Sequence, residues 1–580
     1  MAHDVGAGVM TLLRRGIFPG RSGDLQLILT PYGTANYPNE SRALALRDPR
    51  SSHALAWGYT QRVPIVIHAP GIVSRPGDFT DPVTLADLAP TTARLIRFQG
   101  FDGADGSALP GVPDPAVAPK VVVTFVIDGG GWNVLTHWPS ACPNLARLMR
   151  EGLTYRNAIV GSFPSVTASA HVTIGTGVFP WKHGISGHHV REGGHVVPAY
   201  GLPGEADPSF LLAPTLAERW SEHTNGRAWV GEIGYQIWHL GMIGRGGGRP
   251  PGGEVVAMYW DEARSSWSPQ NPDLYRMVEG TPPREALSRG LQSYFGPERG
   301  GQIDREGRKE VCCSPPIVRY QGDVVAAAFE REPIGTDEVT DLLYVNYKMP
   351  DYAGHVYNML SVQERIALTA VDAELGRLRR ILEARFRPGE FVLIVTADHG
   401  QCPLVDSAGG VRLDPIQLSG HLSGQFDRSL LWNLVQDVKP SEAWIDHRAL
   451  WDGGFTLEDL AAGLSRYRYE DNLGPYVAED LIDRTRLRRA EFAGVFPVSF
   501  LTTLPSARHP GSRTRPVRAR RSGSPAIHVT GFRRRSDRPS APWRALDALV
   551  FRRRVRRGTR TWVSKEPTDP GGTGSRRTVP

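Results

Sequence analysis

At 580 residues the chain is long enough for one large domain with insertions, or for two to three smaller ones. Its 40% hydrophobic and 22% charged residues suit a globular enzyme, and no apolar run is long enough to read as a membrane span. The net charge of +7 is uneven: residues 505–580 hold 19 Arg and one Lys against four acids, so residues 1–504 carry nine net negative charges.

In chain order, "DLQLILT" (24–30) and "RVPIVIHAP" (62–70) read as strands, the second a continuous apolar run bounded by Pro. Apolar spacing predicts a helix over 82–97, with Pro90 in its first turn or at a bend. A Gly/Asp/Pro-rich linker follows, taken as 101–119. "KVVVTFVIDGGG" (120–131) is the clearest strand, apolar on both faces as in a covered parallel sheet. "ACPNLARLMREG" (141–152) predicts a helix ending at Gly152. Residues 186–335 are rich in Gly, Pro and Trp, with short strands in "AWVGEIG" and "VVAMYW", and read as a cap inserted over the site. Regular order returns over 336–504, with a strand in "TDLLYVNYKMPD", a long helix in "SVQERIALTAVDAELGRLRRILEAR" and a strand in "GEFVLIVTADHG". This alternation predicts a three-layer α/β/α sandwich around a mainly parallel sheet. The Arg-rich tail, 505–580, lacks apolar periodicity and is expected to be disordered. It is either a basic arm for nucleic acid or anionic surfaces, or an extension without function; the acidic body suggests no nucleic-acid partner. Four cysteines, two of them adjacent (Cys312 and Cys313), make neither a disulfide framework nor a CxxC metal site. The first twenty residues lack the basic-then-apolar order of a secretory signal, and a cytoplasmic protein is expected.

Three strands lead into acids: "FVID" at Asp128, "NYKMPD" at Asp351 and "IVTAD" at Asp398. Ligands of open α/β sheets bind beyond the carboxyl ends of strands, and three acids gathered there repel one another unless cations intervene. His399 follows Asp398 on a turn, and His355 lies four residues after Asp351, one helical turn away. Mixed carboxylate and imidazole donors suit Zn²⁺ best, with Mn²⁺ or Fe as the other ions such donors take. In "GSFPSVTASAHVTIGTGVFPWKHGI" (161–185), small residues allow close backbone approach, and Thr167 could begin a helix as an N-cap or as an activated hydroxyl. Ser162, Ser165 and Ser169 are competing hydroxyls.

Taken in order, "VIDGGG", "PSVTASAHVTIGTGVFPWKHGI", "PDYAGH" and "TADHGQ" resemble the alkaline phosphatase superfamily, in particular its type I phosphodiesterase / nucleotide pyrophosphatase branch. The resemblance covers roughly residues 120–185 and 340–402. It implies a two-metal hydrolase of phosphate esters with Thr167 as nucleophile and a phospho-enzyme intermediate; a phosphomonoesterase, phosphomutase or phosphotransferase of the same superfamily is the alternative. One metal would be held by Asp128, Thr167, Asp398 and His399, the other by Asp351, His355 and one more His. In the family that last His lies downstream, but His421, His447, His509 and His528 are not followed by the closing pattern of a strand, a G-P-G-type turn and a helix. That pattern resembles "RVPIVIHAPGI" and "PVTLADLAPTTARLI" near the front, so residues 1–100 read as a circularly permuted end of the catalytic core, with His53 as the missing ligand. The alternative is a separate front module, with His421 closing the site. His188 stands where the family often has an Asn that steadies a phosphoryl oxygen, so it is the expected substrate contact. A small-molecule phosphate ester is the implied substrate.

Overall fold

The Val121–Ile127 strand explains the layering. Val121, Val123, Phe125 and Ile127 point into one apolar core, and Val122 and Val126 into another on the opposite face. Such alternation in a strand that is apolar except for Thr124 requires helices on both sides. The computed structural model describes residues 5–35 and 51–503, apart from 203, 247–254, 263, 307, 411, 429–432 and 474–481. The helices Pro143–Glu151, Pro315–Arg331 and Val362–Arg385 cover the first face; Leu88–Leu95, Thr167–Thr176 and Leu216–His223 cover the second. Each fully buried Val or Phe of the central strand contributes about 1.5–3 kcal/mol.

The main sheet has eleven strands. Its order runs Ser266–Ser268, Val255–Asp261, Val230–Ile233, Asp341–Tyr347, Val121–Ile127, Phe391–Thr396, Arg62–His68, Leu153–Ile159 and Gly77–Phe79, with Tyr275–Arg276 and Val83–Thr84 paired at its sides. The centre is parallel, but Arg62–His68 runs antiparallel to both neighbours, so the sheet is mixed. The expected helix over 82–97 begins as a 3₁₀ turn, Leu85–Asp87, and continues as Leu88–Leu95 with Pro90 in its first turn. Pro is tolerated there because that N–H needs no partner within the helix.

One expectation on domain layout is corrected. Residues 186–335 are not simply a cap: Val230–Ile233 and Val255–Asp261 extend the parallel sheet beside Asp341–Tyr347, and Pro315–Arg331 is a layer helix. The two strands are buried on both faces, as strands in a covered sheet interior are. The linker at 101–119 is held down, because Asp87 accepts from Ser107 N at 2.7 Å, Thr91 Oγ1 from Leu109 N at 2.9 Å, and Leu109 is fully buried. The Arg-rich tail expected at 505–580 lies outside the described residues. No helix among the described residues is long and apolar enough to cross a membrane.

A second, antiparallel sheet is built from both ends of the described chain. Leu25–Leu29 lies between Glu442–Ile445 and Phe492–Pro497, with Val435–Lys439 outside. Leu25, Leu27 and Leu29 pack with Leu418, Leu422 and Val495 in a separate core. Glu442 is buried in this sheet, its Oε2 accepting from Gly23 N at 2.6 Å and Gln26 Nε2 at 3.2 Å. Burial outweighs these bonds and raises its pKa from 4.5 to about 7. The folded state therefore binds this proton more tightly than the unfolded chain, and the contribution to stability, full below pH 4.5, is lost as pH rises through 7. Between pH 5.5 and pH 8.5 the wild type should lose on the order of 2 kcal/mol more than Glu442→Gln. Thermal melts of both proteins at the two pH values check this: a variant no more resistant to the alkaline shift would refute a buried, proton-holding Glu442.

Candidate active site

Register at the sheet centre places the first charged groups. Ile127 pairs with Tyr347, so the next residues, Asp128 and Lys348, emerge side by side at the carboxyl edge. The strand ends at Tyr347, not at Asp351 as the sequence suggested; Asp351 lies in the first turn of the helix Met349–Tyr357. His355 follows one turn later, its Nε2 3.3 Å from Asp351 Oδ2. From the front of the chain, His53 brings Nε2 to 3.6 Å from Asp351 Oδ1, while its Nδ1 donates to Ser165 O at 2.8 Å. Asp398 lies two residues beyond the Phe391–Thr396 strand; its Oδ1 accepts from Gly129 N at 3.0 Å, and its Oδ2 is 3.2 Å from His399 Nε2. The rings of His53 and His399 stack with centroids 3.6 Å apart.

Thr167 opens the helix Thr167–Thr176 as its first residue, after Val166 at the N-cap. Its Oγ1 lies 2.9 Å from Lys348 Nζ and 3.4 Å from His399 Nε2. Of the competing hydroxyls, Ser165 donates to Leu55 O at 2.9 Å, and Ser169 turns back to Val166 O at 3.3 Å. Ser162 is buried with no hydrogen-bond partner and does not line the cavity.

Sequence reasoning missed Lys348, Asn346 and His239. Lys348 is 4% exposed, and its ammonium lies 2.9 Å from Asp128 Oδ1 and 2.7 Å from Asp351 Oδ2. The signal was its place as the first residue beyond a strand. Asn346 Nδ2 donates to Asp128 Oδ2 at 3.0 Å and to His171 Nε2 at 2.9 Å, while His171 Nδ1 donates to Thr167 O at 2.8 Å. His239 Nε2 stands 3.3 Å from Asp128 Oδ2.

Among the described residues, three groups could hold a cation: Asp128, Asp398 and His399; His53, Asp351 and His355; and Asp128, His171 and His239. In the third group the Asn346 amide already bridges His171 and Asp128. The first two fit metals on chemical grounds. Three fully buried carboxylates face one ammonium, and neither oxygen of Asp351 nor Oδ2 of Asp398 makes a well-directed hydrogen bond. Buried anions left in that state demand further cations. The titration directions express the same conflict. Burial and then the Asp128 charge push Asp398 well above the usual carboxylate range. Burial would also raise Asp351, but His355 and Lys348 outweigh it and hold the group low. Burial lowers His399 to about 4 and also lowers His53, so both imidazoles are neutral and have lone pairs to give.

The site opens into a cavity of about 590 Å³. Its lining includes Thr167, Lys348 and Asp351 of the central site and Lys439, Glu442 and Trp444 of the second sheet. His188 lies on the wall with its ring 4.9 Å from that of Trp238, whereas His421 sits on the helix Pro415–Phe426 against Gln425 and Tyr467.

A family model for type I phosphodiesterase / nucleotide pyrophosphatase matches residues 122–421. The chain is 25% identical over 338 residues to a protein named calcium-transporting ATPase from Myroides odoratus, covering 49% of this chain and 60% of that one. It is 23% identical to alkaline phosphatase PafA from Elizabethkingia meningoseptica, covering 59% and 72% respectively. To a venom phosphodiesterase from Macrovipera lebetinus it is again 23% identical, covering 48% of this chain and 25% of the other. The solved structure of wild-type PafA superimposes with a TM-score of 0.52 at 17% identity, over 65% of this chain and 84% of that one, and shares the fold. The chain spans 60% of the length of the first two curated relatives it matches.

The two histidines that could complete the Asp351 group differ in place, and metal content separates them. After zinc loading and dialysis, His53→Ala should lose about one equivalent by elemental analysis, because two protein ligands hold zinc poorly. His421→Ala should match the wild type. The reverse pattern would remove His53 from the ligand set.

Proposed function

Because the chain belongs to the type I phosphodiesterase / nucleotide pyrophosphatase family, we propose that it hydrolyses phosphate esters through Thr167 and a covalent phosphothreonine. One divalent cation would be held by Asp128, Thr167, Asp398 and His399, and a second by Asp351, His355 and His53. Bound there, the two ions, preferably zinc and otherwise manganese, would neutralise phosphoryl charge and acidify the threonine hydroxyl.

The remaining chemistry falls to the protein. Thr167 Oγ1 stands at the N-terminus of a ten-residue helix, where backbone N–H groups favour an anion. It would form a bond to phosphorus as the ester P–O bond breaks and the alcohol leaves on the opposite side. Water then cleaves the phosphothreonine, releasing phosphate or a phosphomonoester and restoring the hydroxyl. Lys348, 2.9 Å from Oγ1, favours the ionised oxygen. His188, which lines the same cavity, would serve as a donor to the substrate. The observation that carries the reading is the Thr167 hydroxyl, on a residue that lines the cavity, lying 3.4 Å from His399 of one ligand group and 2.9 Å from the lysine that also meets Asp351 of the other.

The permuted layout is part of the proposal. It is supported by Arg62–His68 lying beside Phe391–Thr396 in the core sheet and by His53 reaching Asp351. A cytoplasmic location is also proposed; that none of the four cysteines forms a disulfide suits a reducing compartment. The relatives include both phosphatases and phosphodiesterases, so either ester class is a fair first substrate.

Thr167→Ala should lower hydrolysis of aryl phosphate esters by roughly a thousandfold or more. It removes one of several ligands, so metal content should stay near wild type. Turnover within tenfold of wild type would move the nucleophile elsewhere. Product analysis in ¹⁸O-labelled water tests the class: label in the released phosphate marks hydrolysis, whereas an unlabelled phosphoryl group found on an added alcohol marks transfer.

A further inference from the structure

We infer that Cys312 and Cys313 are a redox-modification site on the lining of the active cavity: a low-molecular-weight disulfide oxidises the adjacent thiols to a vicinal disulfide, and the change reshapes the cavity. The oxidation stands apart from ester hydrolysis; only its effect on KM rests on the hydrolase reading above.

The two Sγ atoms already lie 3.3 Å apart. An S–S bond of about 2.05 Å is therefore reached by a closure of roughly 1.3 Å. The pair also falls at a joint in the chain. Cys312 ends the helix Arg308–Cys312, and Pro315 begins the helix Pro315–Arg331. Between them Ser314 N donates to Val311 O at 3.1 Å, and Pro315 and Pro316 have no N–H to lose. The peptide between the cysteines can reorient there with few helical hydrogen bonds at stake. Finally, Cys312 lines the cavity together with Gln236, Glu262 and Tyr352. The Tyr352 hydroxyl accepts from Gln236 Nε2 and donates to Glu262 Oε1 at 3.4 Å. The helix that ends at Cys312 packs against Met349–Tyr357, which carries Asp351, Tyr352 and His355.

Cys312 is buried and Cys313 only half-buried, so the first attack falls to Cys313. As the thiolate, Cys313 attacks one sulfur of the small disulfide RSSR. That S–S bond breaks, and RS⁻ leaves and takes up the proton that Cys313 released. Cys312 then attacks the Cys313 sulfur of the mixed disulfide, and a second RS⁻ leaves with the Cys312 proton. The two protein thiols lose two electrons, and RSSR is reduced to two RSH. Adjacent Cα atoms are about 3.8 Å apart, below the roughly 4.4–6.8 Å that disulfides prefer, so the product is strained and readily reduced. The site rests as a dithiol in reducing surroundings and oxidises when the small-thiol pool does. The new bond draws Cys312 Sγ toward Cys313 and alters the lining that Cys312 shares with Tyr352.

The test treats zinc-loaded, dialysed wild type, Cys312→Ser and Cys313→Ser with oxidised glutathione. In the wild type the tryptic peptide 310–319, which holds both cysteines and no other, should lose two hydrogens and regain them with dithiothreitol. Cys142 and Cys402, both buried, should remain thiols. Cys312→Ser should stop at a glutathione adduct on Cys313. Oxidation of the wild type should raise KM for an aryl phosphate ester at least about threefold, with kcat within about twofold, and dithiothreitol should reverse it. The KM of Cys313→Ser should not respond to the oxidant. A wild type that keeps both thiols, or that accumulates only a glutathione adduct, would overturn the inference. So would a disulfide that leaves KM unchanged. If neither variant folds, the mass and KM of the wild type before and after reduction decide. A protein that forms the disulfide but cleaves no ester sinks the hydrolase reading and leaves the modification site standing.

Discussion

Unbalanced negative charge at the carboxyl edge of the sheet is the constraint on which the site depends. Asp128, Asp351 and Asp398 are each essentially inaccessible to water, and Lys348 neutralises only one of the three. Everything around them answers that imbalance. Imidazoles approach the acids from three directions: His399 from the next turn, His355 from the following helix and His53 from the front of the chain. The opening of the Thr167–Thr176 helix adds its partial positive charge. Without that demand for cations, burying three carboxylates at one sheet edge would be a severe cost to stability.

The layered fold was legible because apolar periodicity is a local property. Val121–Ile127, Asp341–Tyr347 and Phe391–Thr396 carry side chains that can be buried on both faces, and only a covered sheet interior accommodates them. Six of the seven proposed ligands are brought into two groups, and the Thr167 hydroxyl lies 3.4 Å from His399 of one of them. What was not legible depends on register. "NYKMPD" shows an acid but not where the strand stops; pairing with Val121–Ile127 ends it at Tyr347, which makes Lys348 the edge residue. His239 lies in a segment with no strong periodicity and reaches Asp128 only because a 3₁₀ turn, Ile237–Met242, packs beside the Thr167–Thr176 helix.

The second-sheet part of the cavity lining was also misplaced from sequence. Gly- and Pro-rich composition drew attention to 186–335, yet the sheet that carries Lys439, Glu442 and Trp444 to the cavity combines Leu25–Leu29 with segments beyond residue 430. Pairing between such distant segments leaves no trace in any local window. Its alternating residues state that a partner exists, not which one.

That pairing has a consequence for how the protein is born. Leu25–Leu29 leaves the ribosome early, yet both of its neighbours, Glu442–Ile445 and Phe492–Pro497, are translated more than 400 residues later. During elongation the strand therefore keeps two open edges, a template for pairing with other chains, until the segments beyond residue 430 have been made.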